Sequence, residues 1–532
     1  MKQINNTLRT DLILHLLCLT VQLCALFPSG FLQKGATLPL VYPCWMILAA
    51  LTIHRQSESF DQYKSRLIYI PSIIISVLCG LCMINEMTRD LWAFALPRHF
   101  PVVVRILWYQ TCLLLIHPQV YSLIMKGWNG AYDFLQERGY FGRKVWVTCA
   151  VAGVLMWLLR NQNLSPDGFD WLKHSLINKN WVNYLREPLG TFIFRLNILF
   201  GLKVFHLAPY VSITILTILC GFATTWLMII VIEFAIEKPY RGLALASLLC
   251  CCGYTQVFTG NVEIYALLHV GLAFFLYSAI RYLRHEWPAW AAGIIFGGLF
   301  CLHLSAGWWL PALLMLPLVK SLHIKETNSA NLYTNITNIS AKKVLLDTST
   351  MLVGFCLFTA GFWTFVLLYG YNGDFMTLWN HFWSDQVMNV GSDAAMFREV
   401  SDFISFDYYL TMFNEYFYLG PCAAILFCIV LCGQCRKDSW TPFLVWTILL
   451  AGFYSIYTVV WHPDRAFPAD WDIFSGLTIP LLLVFWQIIP KRATPISAIC
   501  YIGYQSIVFS GLYLLLQLIR NHIKISEWPL FL

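Results

Sequence analysis

Asp167 and Asp170 stand in the long loop 160–207, the strongest local signal in an otherwise apolar chain. They follow Ser165-Pro166, which together with Gly168 forms a turn or helix-start signature. A carboxylate at a membrane surface can take the proton of an acceptor hydroxyl as a general base. Asp167 also has the residue type and place of a simple helix cap. A second concentration of chemistry is 461–472, WHPDRAFPADWD, with one His, three Asp, one Arg and two Pro. His462, Asp464, Asp470 and Asp472 offer the donor set that a hard divalent cation takes. Arg465 in the same stretch either pairs with a neighbouring Asp or holds a phosphate through charge-assisted bonds. Arg398 is the only Lys or Arg between 370 and 420, which makes it a candidate phosphate ligand. Glu263 sits immediately before Ile264-Tyr265, where it is either interfacial or acceptor-binding. His303, beside Ser305-Ala306-Gly307, reads as a packing residue.

Composition defines the scaffold that must carry these groups. Hydrophobic residues make up 58% of 532 positions and charged residues only 12%. Blocks such as 211–236 and 351–368 approach or exceed the ~20 apolar residues that a hydrocarbon core of about 30 Å requires. The expected class is an all-α polytopic membrane protein. The block 12–27 follows Lys2 and Arg9 without a clean small-residue cleavage site, so it reads as a retained span. Most of the 18 cysteines lie in apolar blocks, where Cys behaves as a small hydrophobe. No disulfide framework or zinc site is indicated, and the Cys432/Cys435 pair lacks partner ligands. The +7 charge contains no basic run long enough for nucleic acid, which leaves topology as its meaning.

Positive residues collect in alternate loops. They are Arg55, Lys64 and Arg66; Lys126, Arg138, Arg143 and Lys144; Lys238 and Arg241; Arg281 and Arg284; the loop 320–343; Arg436 and Lys437; Lys491 and Arg492. Placed together in the cytoplasm, these loops give roughly fifteen crossings with the N-terminus inside. Residues 289–318 are short for two full spans and read as a broken or tilted pair. The clear spans carry almost no internal charge. Four segments then fall on the opposite face: 160–207, 259–263, 370–420 and 461–472. In the first, Trp171, Leu172, Leu176 and Ile177, then Phe192, Leu196, Leu199 and Phe200, recur at helical spacing. That spacing predicts two amphipathic helices lying in the membrane interface. The Asn/Thr/Ser-rich stretch 328–340 reads as a cytoplasmic linker, which leaves its sequons at Asn335 and Asn338 incidental.

The opening Asp167-x-x-x-Trp171, the interfacial helices and the Arg186-Glu187-Pro188-Leu189 segment resemble the first outer loop of GT-C-fold glycosyltransferases. That superfamily includes protein O-mannosyltransferases and the aminoarabinose transferases that modify lipid A. Gly260-Asn261-Val262-Glu263-Ile264-Tyr265 resembles a Gly-His-Val-Glu-x-Tyr motif of bacterial members, with Asn261 in place of the His. Asp470-Trp471-Asp472 resembles their Asp-Trp-Asp-Leu-Phe segment, and Gly168 stands where an acidic residue is common. The resemblance covers roughly 144 to 490. It divides the chain into additional N-terminal helices (1–143), a GT-C-like core (144–370) with its outer loop 160–207, a second outer loop (371–420) and C-terminal helices (421–532).

The resemblance implies transfer of a sugar from a polyprenyl-phosphate donor to a lipid, glycan or protein acceptor on the outer face of a bacterial inner membrane. Asp167 would be the base, with Asp170 or Glu263 orienting the acceptor. Arg195, Arg398 and Arg465 are candidates for the donor phosphate. Arg186, Glu187, His462, Asp470 and Asp472 complete the expected substrate-binding set. A divalent cation is the one cofactor these residues leave room for, and no Gly-rich phosphate loop is present. Two other classes stay open: a polysaccharide polymerase or ligase, and a transporter or flippase of lipid-linked sugars, which would place ionisable residues or broken helices near the bilayer midplane.

Overall fold

The computed structural model of the chain describes residues 2–26, 38–60, 72–77, 96, 100, 102–136, 143–160, 187–259, 264–321, 341–369, 405–432, 440–460, 471–488 and 496–522. These are 92% helical with no strand, as lipid demands: without water, a segment must satisfy its own backbone. In chain order the helices are α1 (Lys2–Leu26), α2 (Leu38–Phe60), α3 (Val102–Leu115), α4 (Pro118–Gln136), α5 (Arg143–Leu158), α6 (Pro188–Phe205), α7 (Pro209–Ala235), α8 (Arg241–Leu249) and α9 (Cys252–Phe258). Then follow α10 (Tyr265–Leu283), α11 (Ala289–Leu302), α12 (Leu310–Ser321), α13 (Ala341–Tyr369), α14 (Phe406–Leu419), α15 (Pro421–Cys432), α16 (Pro442–Val460), α17 (Thr478–Ile488) and α18 (Ile496–His522). Short 3-10 turns occupy Lys238–Tyr240, Leu304–Trp309 and Trp471–Leu477. Among the described residues, seven helices are long and apolar enough to cross a bilayer, or up to eight with the bent pair α8–α9, and five apolar helices are shorter. The chain is an all-α, multi-pass membrane protein. The expected total of fifteen crossings draws in part on residues outside this set.

Contacts between helix termini sort the bundle into two ends. Lys320 Nζ donates to the Tyr282 carbonyl at 2.6 Å, Arg284 lies 5.8 Å from the Phe234 ring, and Phe234 packs on Phe443 at 5.6 Å. The C-terminal ends of α7, α10 and α12 thus meet the N-terminal end of α16. Cys500 Sγ approaches the Pro239 carbonyl at 3.8 Å and Tyr504 donates to the Leu115 carbonyl at 2.9 Å. The start of α18 and the α3–α4 turn therefore join the same end. Apart from that turn, each of these termini adjoins one of the Lys/Arg-bearing loops. The relative sidedness read from the alternation of charge is the one the helices adopt.

Residues 289–318 are a pair of short legs, within the expectation of a broken or tilted pair. α11 runs away from the basic end to His303, and 304–321 returns to Lys320 beside Tyr282. The first leg manages with 14 residues because it packs tightly on α13. A Cβ on Gly293 would stand 2.0 Å from the Met351 carbonyl oxygen, and one on Gly354 2.4 Å from that of Trp290. Gly293 and Gly297 have the i, i+4 spacing by which bare backbone lets membrane helices approach closely.

A further break lies where α8 and α9 meet at 61°. Its freed carbonyls take side-chain hydroxyls: Thr255 Oγ1 donates to Leu249 at 2.5 Å and Ser510 Oγ to Cys250 at 2.9 Å. Charge is also buried in the bundle near its basic end. Arg55 grips Asp11 through Nε at 2.8 Å and Nη2 at 3.0 Å, and His117 Nε2 stands 3.1 Å from the same carboxylate. This cluster ties α1, α2 and the α3–α4 turn together. On α14, Asn414 and Glu415 are fully buried. α14 falls within 371–420, expected as outer loop, and its packing against α9 and α15 makes the last part of that segment a bundle helix. Single apolar blocks hide such residues because one polar group per turn barely changes their hydropathy.

Candidate functional site

The end of the bundle away from the basic loops is organised around Glu187 and His303. Glu187 precedes α6, whose first position is Pro188, a residue that tolerates the start of a helix because the lost N–H would be unsatisfied there. Its carbonyl accepts from the Thr191 amide at 2.9 Å and the Thr191 hydroxyl at 2.8 Å. His303 is held in extended backbone between α11 and the 3-10 turn. Glu187 Oε1 and His303 Nε2 are 2.9 Å apart, with side chains only 12% and 8% exposed. His303 Nδ1 accepts the Ser305 amide at 3.0 Å. A ring that accepts at Nδ1 keeps its neutral-form proton at Nε2, so Nε2 donates to the carboxylate. Glu187 Oε2 is buried without a partner among the described residues.

Helix α6 has the composition of a span, but both its ends lie at this end of the bundle. A Cβ on Gly190 would be 3.0 Å from the Ile264 side chain, at the start of α10. Near the other end, Asn197 Nδ2 donates to Ser212 Oγ at 3.0 Å, at the start of α7. The far terminus of α7 is Phe234, at the basic end. α6 therefore lies across the bundle, as an interfacial helix does. Gly190, Thr191, Phe194, Ile198 and Gly201 are buried, whereas Leu196, Phe200, Val204 and Phe205 project outward. The stripe that carries the sequence period, Leu196, Leu199 and Phe200, is thus the outward one. Facing lipid, the exterior is as apolar as the interior, and small residues mark the protein side instead.

Aromatic side chains continue the site from His303. Tyr265 lies 5.2 Å from the imidazole, ring to ring. Trp309 stacks on Tyr454 at 4.4 Å, Trp308 meets Tyr457 at 5.8 Å, and Tyr457 meets Phe474 at 6.4 Å. His269 bridges the Tyr265 carbonyl through Nδ1 at 2.7 Å and approaches the Ser475 carbonyl through Nε2 at 3.3 Å. Tyr408 donates to the Val459 carbonyl and Tyr416 bonds Thr458. Trp309 Nε1 is buried without a partner among the described residues. Glu187 and Tyr408 lie within, and Ile264 and Val460 adjoin, the four segments that the charge pattern assigned to one face. Their described flanks meet here.

Of the expected site residues, Glu187 and Arg195 lie within the described structure; Arg195 is partly buried on α6, about two turns from Glu187. Asp472 lies on the Trp471–Leu477 turn. Asp167, Asp170, Arg186, Glu263, Arg398, His462, Asp464, Arg465 and Asp470 lie outside the described residues. Among the described residues no three His, Cys, Asp or Glu side chains are placed to hold a metal ion. His303 is more than packing: it is half of the buried pair. Its sequence offered one signal, a His closing an apolar block, and no carboxylate close enough in sequence to give it a role.

No family model matches this chain, and neither a curated protein nor a solved structure does.

Proposed function

We propose that this protein is a membrane glycosyltransferase that moves a sugar from a polyprenyl-phosphate donor to an acceptor hydroxyl at the end of the bundle away from the basic loops. The observation that carries the reading is the convergence there of the flanks of all four polar segments around Glu187–His303. The resemblance of 144–490 to GT-C enzymes supplies the donor class, and the transverse α6 fits it. In this reading Asp167 takes the acceptor proton, the acceptor oxygen bonds the anomeric carbon, and the bond from that carbon to the phosphate oxygen breaks. The phosphate leaves with the electron pair and needs no general acid. Asp170 or Glu263 orients the acceptor. Arg186, Arg195, Arg398 and Arg465 are the reservoir of positive charge for the phosphate, since guanidinium pairs with it through two parallel bonds. Glu187 and His303 fix the floor, and His462, Asp470 and Asp472 are assigned to substrate binding in this reading. With basic loops inside, this site faces outward from a bacterial cytoplasmic membrane.

The test is transfer by the full chain in nanodiscs supplied with a polyprenyl-phosphate sugar. Asp167→Asn should lower transfer by about a hundredfold or more, the range for a positioned base, with donor binding retained. Full activity in that variant would move the role to Asp170 or defeat the reading. A second class, a transporter of lipid-linked sugar, draws support from the α8–α9 break and from Gln256, Asn414, Glu415 and Tyr418 buried beside it. Tyr418 hydroxyl donates to Gln256 Oε1 at 3.3 Å. Movement of donor between leaflets without glycosyl product would favour that class.

A further inference from the structure

The basic end holds a cavity of about 230 Å³ between α7, α10, α12, α16 and α17. Its walls divide by chemistry. Phe234, Leu283, Pro442 and Phe443 supply apolar surface; Arg284, whose guanidinium lies 5.8 Å from the Phe234 ring, and Lys320 supply charge. The cavity opens outward, since Phe234 is 39% exposed and the Arg284 side chain 55%. Arg284 uses only Nε in its pair with Glu286, at 3.0 Å, and its Nη groups have no partner among the described residues. Lys320 spends one of its three donors on the Tyr282 carbonyl. Thr441 Oγ1 takes the Leu444 amide at 3.1 Å and so caps α16; the positive end of that helix adds to the field. Gln487, also on the wall and 6% exposed, commits its Nε2 to Thr447 and Leu483, which leaves its Oε1 as an acceptor.

An anion there meets Arg284, which shares Glu286, Lys320, which also feels Asp347, and a helix N-terminus, while whatever is attached to it meets phenylalanine and leucine at the membrane edge. We infer that this cavity binds the phosphate headgroup of an anionic membrane lipid, with its chain lying against Phe234 and Phe443. Basic pockets between membrane helices on the positive side take such headgroups. A free phosphate would satisfy the charges but not the apolar wall, and a neutral lipid the reverse. The inference is independent of glycosyl transfer and concerns the opposite end of the bundle.

The experiment uses the full chain in nanodiscs containing a photoactivatable phosphatidylglycerol, followed by peptide mapping. Crosslinks should fall on peptides bearing Phe234 or Phe443. Arg284→Gln should reduce them about tenfold, the loss of one charge-assisted contact, and Arg284→Gln with Lys320→Gln should abolish them. Lys203→Gln, on exposed α6, should leave them unchanged. Because Lys320→Gln also removes the Tyr282 bond, Arg284→Gln alone decides the outcome if the double variant does not fold. Equal labelling in wild type and Arg284→Gln, equal labelling by photoactivatable phosphatidylcholine, or complete competition by inorganic phosphate would overturn the inference.

Discussion

Two acid–base groups, one at each end of the bundle, differ in how much water they see. At the basic end Arg281 and Arg284 share Glu286 at 2.6 and 3.0 Å, with side chains 36%, 55% and 29% exposed. At the other end Glu187 and His303 are nearly enclosed. Water screens the first set, so its pairs contribute little. The second has no such relief: removing one partner strands the other. The exposed set leaves its charges to water, whereas Glu187 and His303 form a fixed polar centre, as the largely buried Asp11, Arg55 and His117 do near the basic end.

The sharpest way to break this comparison is to remove matching carboxylates. Glu187→Ala should lower stability by about 3 kcal/mol, read as a drop in melting temperature in one detergent and lipid mixture. Glu187→Gln should lose less, because its amide oxygen still accepts from Nε2. Gly293→Ala comes next, since a Cβ there collides with the Met351 backbone; overpacking of about 1–3 kcal/mol is expected. Glu286→Ala should cost under ~1 kcal/mol, and high salt should erase the difference from wild type. If the losses at 187 and 286 were equal, burial would not distinguish the ends. The gentlest probe leaves stability alone. With Lys203→Cys and Lys238→Cys, a membrane-impermeant maleimide added outside whole cells should label position 203 and spare position 238. Labelling of 238 would reverse the assignment of faces.

Much of this comparison was legible in the residues. Composition alone specifies helices in lipid, and the alternation of Lys and Arg specifies which helix ends lie together. The buried pair was not legible, because Glu187 and His303 belong to different polar interruptions and only the folded path of α6 and α11 joins them. The apolar period of α6 announced a helix that lies across the bundle but pointed to its outward side. The closeness of α11 and α13 did leave a trace, in the spacing of Gly293 and Gly297. Asp11 and Glu415 left almost none, since a single carboxylate inside an apolar run has no period.

The link between Glu187 and His303 also sets an order of assembly. Synthesis runs at about 5–20 residues per second, so the 115 positions between them take on the order of ten seconds to make. For most of that interval α6 is finished and its partner is not. The carboxylate of Glu187 waits in water, where a charge is cheap, while Leu196, Phe200, Val204 and Phe205 can already rest in lipid. Arrival of α11 brings the imidazole across and closes the latch. A helix built to lie on the membrane by itself is thus a helix that can afford to wait.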